Sequence, residues 1–262
     1  MELGIGGKVA VVSGASRGIG RAIAEELAAE GAKLAICART GGQLAAAAGE
    51  IRQRTNAEVL AVEADLGTLA GVHSLVRETL ARFGRVDILV NCAGAIRGGS
   101  LLSKPDAEWP EDWALKLFGY IRMMREVFPI MKAAGGGRIV NVIGNAGRQP
   151  DPSYLAGGAA NAALMNITKA LAAEGGPHNI LVNGINPGPV RTDRWNALND
   201  RFAVEWGKTL PEVETIRMQG NPLGRPCEAR EVAALAVFLV SERASYLNGT
   251  LIEIDGGTTR CL

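Results

Sequence analysis

A glycine-rich turn near the start of the chain is the first segment whose residue types indicate a chemistry. It reads Gly14-Ala15-Ser16-Arg17-Gly18-Ile19-Gly20 and joins an apolar run at 9–13 to an alanine-rich periodic run. Between a strand and a helix, glycines at this spacing let main-chain amides approach a diphosphate at the positive end of the helix. The pattern predicts a dinucleotide-binding turn, and a plain strand-to-helix turn is the alternative interpretation.

The end of the second predicted strand indicates which dinucleotide binds. Proteins that bind NAD carry an Asp or Glu there, which accepts hydrogen bonds from the ribose hydroxyls. This chain carries Arg39 and Thr40 instead, and Arg17 lies in the glycine-rich turn. Guanidinium groups suit a 2′-phosphate, and the Thr40 hydroxyl adds a further donor. We therefore expect NADP(H) as the cofactor, with two solvated surface arginines as the alternative.

The glycine-rich turn belongs to a regular alternation of short β-branched runs and alanine-rich helical patterns. Strands are predicted at 9–13, 33–37, 58–63, 88–91, 138–143, 181–185 and 251–254, and helices at 18–30, 43–55, 68–83, 109–133, 152–174 and 229–241. This alternation implies right-handed crossovers, and the continuously apolar central strands imply helices on both faces of the sheet. We expect one Rossmann-type α/β domain, residues 1–262, with a doubly wound, mainly parallel seven-stranded sheet.

One segment, at about 192–222, breaks the alternation because it has no strand pattern. We expect a helical insertion over the carboxyl ends of the strands, where ligands bind in such sheets. Polar or glycine-containing segments follow three other strands at the same edge. They are Asp65-Leu66, Asn91-Cys92-Ala93-Gly94 and Asn186-Pro187-Gly188-Pro189-Val190-Arg191-Thr192.

The bulk composition excludes several classes of partner. The chain has 262 residues with 28 Lys+Arg and 27 Asp+Glu, a balance that favours neither nucleic acid nor an anionic membrane. None of the four cysteines pairs at metal-ligand spacing, so no metal site is expected. The start of the chain lacks a signal-peptide pattern, and no apolar run approaches the roughly 20 residues that span a bilayer. We expect a cytoplasmic protein with a small-molecule substrate.

Taken together, the motifs resemble those of the short-chain dehydrogenase/reductase family over nearly the whole chain. The resemblance rests on 13–20, 65–66, 91–94, 137–142, 186–192 and the closing Asp255-Gly256-Gly257. It implies that Asp65 and Leu66 flank the adenine. It implies a cofactor lining of Asn91, Ala93 and Gly94, and a nicotinamide end held by Pro187, Gly188, Val190 and Thr192. It also implies a homodimer or homotetramer.

The resemblance breaks at the residues with which the family does its chemistry. Members normally carry a Ser that holds the substrate oxygen, a Tyr that donates or accepts the proton, a Lys that lowers the Tyr pKa, and a supporting Asn. Alignment on the motifs at 137–141 and 168–172 gives the equivalent residues of this chain. In the same order they are Gly144, Gly157, Asn161 and Lys116. The chain is therefore identified as an atypical member without the Asn-Ser-Tyr-Lys tetrad.

Two compensations are visible in the sequence. Lys116 and Asn161 keep one amine and one amide at the two exchanged positions. Tyr154 lies three residues before Gly157 and, if the predicted helix includes it, within about 20° of the face that carries Asn161. Asn145, beside Gly144, is a candidate contact for a substrate oxygen. The candidate catalytic set is Tyr154, Lys116, Asn161 and Asn145, whereas a close helix contact at a subunit interface is the alternative.

These observations leave three functions open. The first is an NADP(H)-dependent oxidoreductase that transfers a hydride between nicotinamide and a carbonyl or alcohol, with a rearranged acid site. The second is a non-redox lyase or isomerase that uses the same cleft without consuming the cofactor. The third is a non-catalytic cofactor-binding subunit, which the two glycines at catalytic positions favour.

Overall fold

The computed structural model describes residues 2–94 and 96–261, and nine strands are assigned within them. In chain order they are β1 (Val9–Ser13), β2 (Lys33–Ala38), β3 (Val59–Glu63), β4 (Ile88–Asn91), β5 (Gly137–Val142), β6 (Ile180–Pro187), β7 (Val190–Arg191), β8 (Cys227–Glu228) and β9 (Leu251–Ile254). Seven of them form one sheet in the order β3-β2-β1-β4-β5-β6-β9, and β7 pairs with β8. Every pairing is parallel. The predicted seven-stranded Rossmann-type fold is confirmed.

Helices connect the strands and cover both faces of the sheet. They are α1 (Gly18–Ala29), α2 (Gly41–Thr55), α3 (Leu69–Phe83), α4 (Glu108–Lys116), α5 (Phe118–Ala133), α6 (Leu155–Gly175), α7 (Asp193–Trp206), α8 (Leu210–Arg217) and α9 (Ala229–Val240). The segment at 192–222 contains α7 and α8. Across the described stretches 2–94 and 96–261, no helix combines the length and apolar character that crossing a bilayer requires.

Two helices differ from their predicted bounds in ways that matter for the site. The helix predicted at 109–133 is divided at Leu117 into α4 and α5. The helix predicted at 152–174 begins only at Leu155, so Tyr154 precedes it with φ −137° and ψ 39°. The physical reason is a turn at Asp151, whose carboxylate accepts from the Ser153 amide at 2.8 Å and whose carbonyl accepts from the Tyr154 amide at 3.0 Å.

The alternation of side chains along the strands divides the core into two layers. In β1, Ala10 and Val12 face one layer with α1, α2 and α9, whereas Val11 faces the other with α3, α5 and α6. Successive strand residues point to opposite faces, so both faces of a central strand must be apolar. Each fully buried aliphatic side chain of Val or Leu size contributes about 1.5–3 kcal/mol. The two layers hold the carboxyl ends of the strands in a fixed row.

A buried polar chain crosses the sheet just below the site. Asn91 and Asn141 are register partners on β4 and β5, and both are fully buried. Asn91 donates from Nδ2 to Oδ1 of Asn141 at 2.9 Å, and Asn141 donates from Nδ2 to Oγ1 of Thr168 on α6, also at 2.9 Å. These two hydrogen bonds fix α6, which carries the candidate catalytic positions, relative to β4 and β5.

We expect Asn141→Leu to lower the free energy of unfolding by about 1–3 kcal/mol, because it leaves the buried Asn91 amide without its acceptor. Urea denaturation followed by circular dichroism measures the change. Asn196→Leu, at an exposed position of α7, is the control, with an expected change within about 0.5 kcal/mol. Equal stability of the two variants would contradict the assignment.

Candidate active site

The glycine-rich turn is shaped by close backbone contacts. Gly14 has φ +70° and Gly18 has φ +59°, which favour glycine. A Cβ at Gly14 would lie 2.8 Å from Cα of Ala93, and one at Gly20 would lie 2.4 Å from the carbonyl oxygen of Gly14. Helix α1 begins at Gly18, and the side chain of its N-cap residue, Arg17, makes no capping hydrogen bond. The first-turn amides therefore lack a side-chain acceptor, which fits an anion at this end.

The two arginines predicted to select the cofactor follow neighbouring strands. β1 and β2 are paired through Ser13 and Cys37, and the Ala15 amide donates to the Cys37 carbonyl at 3.1 Å. Arg17 and Arg39 are exposed, and neither forms an ion pair with another residue that the structure describes. Thr40, also exposed, precedes α2 without capping it. Both guanidinium groups are available to a ligand.

Other predicted cofactor residues come together at the same edge. The Ser13 hydroxyl accepts from the amides of Cys92 and Ala93 at 2.9 and 3.1 Å, which joins the glycine-rich turn to the segment after β4. Asn91 precedes this segment as the last residue of β4. Its Oδ1 is buried and accepts no hydrogen bond from the residues that the structure describes. A Cβ at Gly18 would lie 3.4 Å from Cγ2 of Thr192, so the start of α7 reaches the turn.

The remaining predicted cofactor residues are placed around this group. The Asp65 carboxylate accepts from the Gly67 amide at 2.9 Å, and Leu66 is buried. Pro187 ends β6 and Val190 begins β7, while a Cβ at Gly188 would lie 2.8 Å from Cβ of Asp255. Their contacts to a cofactor stay predictions, as do those of Ser16, Ile19 and Gly94.

The ring of Tyr154 occupies the space of the side chain that Gly157 lacks. A Cβ at Gly157 would lie 2.0 Å from Cε1 and 2.1 Å from Cζ of Tyr154. Tyr154 reaches this position from the residue before α6, which corrects the premise that it lies on the helix. A bridge between Gly99 and Tyr154 holds its backbone, and the Gly99 amide donates to the Ser153 carbonyl at 2.7 Å. The Tyr154 ring therefore overlaps the point at which a side chain of residue 157 would begin.

The space beside a second glycine is also occupied by a neighbouring side chain. Gly144 has φ +128°, and a Cβ there would lie 2.9 Å from Nδ2 of Asn161. Asn161 is only 4% exposed. Its amide therefore stands beside the position expected for the family's serine, from a helix position expected to carry lysine.

Lys116 places an ammonium group in the cleft, and no carboxylate among the described residues pairs with it. Its Nζ donates to the Val142 carbonyl at 2.7 Å and to the Tyr120 hydroxyl at 3.2 Å. Burial lowers the pKa of Lys116 to about 8, and the charge of Arg194 acts in the same direction. Among the described residues no hydrogen bond joins Lys116 to Asn161, so their predicted exchange of roles stays a prediction.

Asn145, predicted to contact a substrate oxygen, lies near Asp255. Burial opposes ionisation of Asp255, but hydrogen bonds from Thr259, Gly257 and the Asn145 side chain lower its pKa overall. The Asn145 side chain therefore lies near the segment after β9. A contact between Asn145 and a substrate oxygen remains a prediction.

Sequence reasoning missed a buried ion-pair network beside Tyr154. The ammonium of Lys104 is buried and donates to Asp112 at 2.6 Å and to Glu108 at 3.2 Å. Arg97 donates to the other oxygen of Asp112 at 3.0 Å. The four-residue spacing of Glu108 and Asp112 on α4 could have placed the two carboxylates on one helix face, but Lys104 precedes the helix and has no such signal. The network supports the loop that carries Gly99, and hence Tyr154.

A family model described as enoyl-(acyl carrier protein) reductase matches residues 14–259. The chain is similar to the short-chain reductase protein NovJ of Streptomyces niveus, with 35% identity over 254 residues that cover 95% of this chain and 93% of that protein. It belongs to the short-chain dehydrogenase/reductase family.

Other members of the family extend this similarity. The 3-oxoacyl-[acyl-carrier-protein] reductase FabG of Aquifex aeolicus is 33% identical, over 98% of this chain and 99% of its own. The structure of L-sorbose reductase from Gluconobacter frateurii, complexed with NADPH and L-sorbose, superposes with a TM-score of 0.97 at 36% identity and covers all of both chains. Among the residues described for this short-chain dehydrogenase/reductase, no cluster of three or more His, Cys, Asp or Glu could hold a metal ion.

We expect the stability contributed by Lys116 to rise with pH. Its pKa of about 8 in the folded protein lies below the ordinary 10.5, so between these values the unfolded chain binds the additional proton and rising pH favours folding. Denaturation of wild type and Lys116→Met from about pH 7 to about pH 10 measures the difference in unfolding free energy. That difference, wild type minus variant, increases with pH.

Lys132→Met, at an exposed lysine, is the control for the loss of one lysine charge. A difference that stays flat for Lys116→Met, or that falls with pH, would show that the ammonium is not desolvated.

Proposed function

We propose that this chain is an NADP(H)-dependent oxidoreductase that reduces a carbonyl to an alcohol, with Tyr154 as the proton donor. The observation that carries the proposal is the Tyr154 ring, which fills the space left by Gly157. A phenol is thereby returned to a site that has lost its usual tyrosine. The intact glycine-rich turn supports the cofactor half of the same proposal.

The residues present fit NADPH, which supplies a hydride to the carbonyl carbon when bound. The uncapped first turn of α1 would hold the diphosphate through its amides. Arg17, Arg39 and Thr40 would hold the 2′-phosphate, and Asn91 offers an unpartnered carbonyl oxygen to a donor. Several relatives are named NADPH-dependent or were solved with NADPH.

Tyr154 would deliver a proton to the substrate oxygen. Burial raises the pKa of its hydroxyl, which keeps the phenol protonated at neutral pH. The Asn161 amide, beside Gly144, would donate a hydrogen bond to the same oxygen and orient it. Lys116 would hold a ribose hydroxyl from the other side of the cleft. One proton and one hydride added to the carbonyl balance the reduction to an alcohol.

A ketose is the first substrate class to test. The cleft contains two cationic side chains, Lys116 and Arg194, and polar amides rather than an apolar wall alone. Such groups suit a substrate with several hydroxyls. The reductase from Gluconobacter frateurii, which matches the full chain, was solved with L-sorbose.

A non-redox lyase or isomerase is the second candidate, and the state of Lys116 is the observation that favours it. An amine whose pKa is lowered to about 8 can add to a carbonyl as a neutral nucleophile. Product formed without any change in NADPH absorbance would indicate this reaction. The homodimer or homotetramer implied by the resemblance remains a prediction in either case.

We expect Tyr154→Phe to lower kcat for NADPH-dependent ketose reduction by about 10²–10⁴-fold, the usual contribution of a positioned acid. NADPH affinity, measured by fluorescence titration, stays unchanged. Gly157→Ala produces a similar loss because its Cβ displaces the ring. Gly49→Ala is the control and retains activity, because a Cβ added at this helical glycine meets no neighbouring element within 4 Å. Full activity in Tyr154→Phe would contradict the assigned acid.

We expect Arg39→Glu to weaken NADPH binding about tenfold or more, because a charge-assisted contact to the 2′-phosphate is replaced by repulsion. NADH binding changes much less, since NADH lacks that phosphate. Calorimetric titration with both cofactors measures the ratio, and Arg54→Glu at an exposed position of α2 is the control. An unchanged ratio would refute the role of Arg39.

A further inference from the structure

An acidic side chain reaches the cofactor-selecting end of β2 from the neighbouring strand. Glu63 is the last residue of β3 and the register partner of Ala38, the last residue of β2. The two strands stay together one residue further, because the Ala64 amide donates to the Ala38 carbonyl at 3.1 Å. Glu63 therefore lies directly beside the point at which Arg39 and Thr40 leave the sheet.

The Glu63 carboxylate lies against the first residue of α2. A Cβ at Gly41 would lie 2.0 Å from Oε2 and 3.0 Å from Cδ of Glu63, so the carboxylate occupies the space beside this glycine. Gly41 directly follows Thr40, whose side chain does not cap the helix. The positive end of a helix dipole stabilises a carboxylate placed there. The carboxylate is thus held one residue beyond the two predicted contacts of the 2′-phosphate, Arg39 and Thr40.

Glu63 and Arg39 both keep their charges available to a ligand. Both side chains belong to exposed residues. Within the described ranges 2–94 and 96–261, neither forms an ion pair with another residue or with the other. One edge of the sheet therefore offers a guanidinium from the end of β2 and a carboxylate from the end of β3.

These two charges favour different forms of the adenosine ribose. A guanidinium pairs with the 2′-phosphate of NADPH, whereas a carboxylate accepts a hydrogen bond from the 2′-hydroxyl of NADH. A carboxylate also repels a phosphate, and salt screens this repulsion only in part at distances below the Debye length. Arg39 therefore favours NADPH, and Glu63 favours NADH.

We propose that Glu63 is a specificity-determining residue whose carboxylate binds the adenosine ribose of NADH, so that the chain accepts NADH as well as NADPH. The inference rests on the proposed function and deepens its cofactor half. Proteins that bind NAD ordinarily carry the acid at the end of the second strand, where this chain has Ala38, Arg39 and Thr40. Here β3 supplies the acid instead, and the same site keeps its guanidinium for the phosphate.

Calorimetric titration of the full chain with NADPH and with NADH tests the proposal without turnover. We expect Glu63→Gln to strengthen NADPH binding about threefold, because the repulsion of the phosphate is lost. NADH binding weakens about tenfold, because the ribose hydroxyl exchanges a charged acceptor for a neutral one. Glu30→Gln removes one negative charge at the end of α1 remote from the glycine-rich turn, and it changes neither dissociation constant.

Gly41→Ala tests the placement of the carboxylate rather than its charge. The added Cβ displaces Oε2, which is the far end of a flexible side chain, so we expect both dissociation constants to move in the same directions as in Glu63→Gln. In the Glu63→Gln background, Gly41→Ala changes the ratio of the two constants little further, because no carboxylate is left to displace. Gly42→Ala, whose added Cβ meets nothing within 4 Å, is the matched control.

An unchanged ratio of the NADPH and NADH constants in Glu63→Gln overturns the proposal, and so does an equal change of that ratio in Glu30→Gln. A wild type that binds NADPH but shows no measurable affinity for NADH also contradicts it. A wild type that binds both cofactors but reduces no carbonyl counts against the proposed function, whereas the two dissociation constants still decide the role of Glu63.

Discussion

The Tyr154 ring lies where a side chain at Gly157 would be, and the arrangement of the whole active site depends on this steric exchange. A Cβ placed 2.0 Å from an aromatic carbon cannot be accommodated, so the phenol keeps its position only while residue 157 is glycine. In the same way, the Asn161 amide lies against the point where a side chain at Gly144 would begin. Neighbouring side chains therefore occupy the space beside both glycines, and neither position is an empty gap in the cleft.

Because Tyr154 precedes α6, the segment before this helix must hold the Tyr154 ring in place. A tyrosine inside the helix would be carried by the helix, but Tyr154 precedes it and needs other support. The Gly99 bridge, the turn at Asp151 and the buried Lys104–Asp112 ion pair supply that support. Removing one partner of a buried ion pair usually costs several kcal/mol because the other charge stays unpaired. The loop after β4 and Tyr154 are thus parts of one structural unit.

Local sequence signals were sufficient for the fold and for the glycine-rich turn before α1. Apolar periodicity and the glycine-rich turn depend on local geometry, so the seven strands and the start of α1 could be predicted. The position of Tyr154 near Gly157 followed from counting residues, although the helical reasoning behind it was wrong because a turn delays α6. Arg194 could not be predicted, since its contact with Ile96 joins residues 98 apart in sequence and depends on how α7 docks.

The charges in the cleft explain why such a rearrangement can be tolerated. Lys116 has neutral acceptors around its Nζ. Burial lowers its pKa, and repulsion by the charge of Arg194 lowers it further. An anion that forms between them relieves the repulsion. Preorganised positive charge of this kind stabilises developing negative charge without reorganisation. The two cations come from α4 and α7, so the positive charge at this cleft does not depend on α6, the helix that carries Gly157 and Asn161.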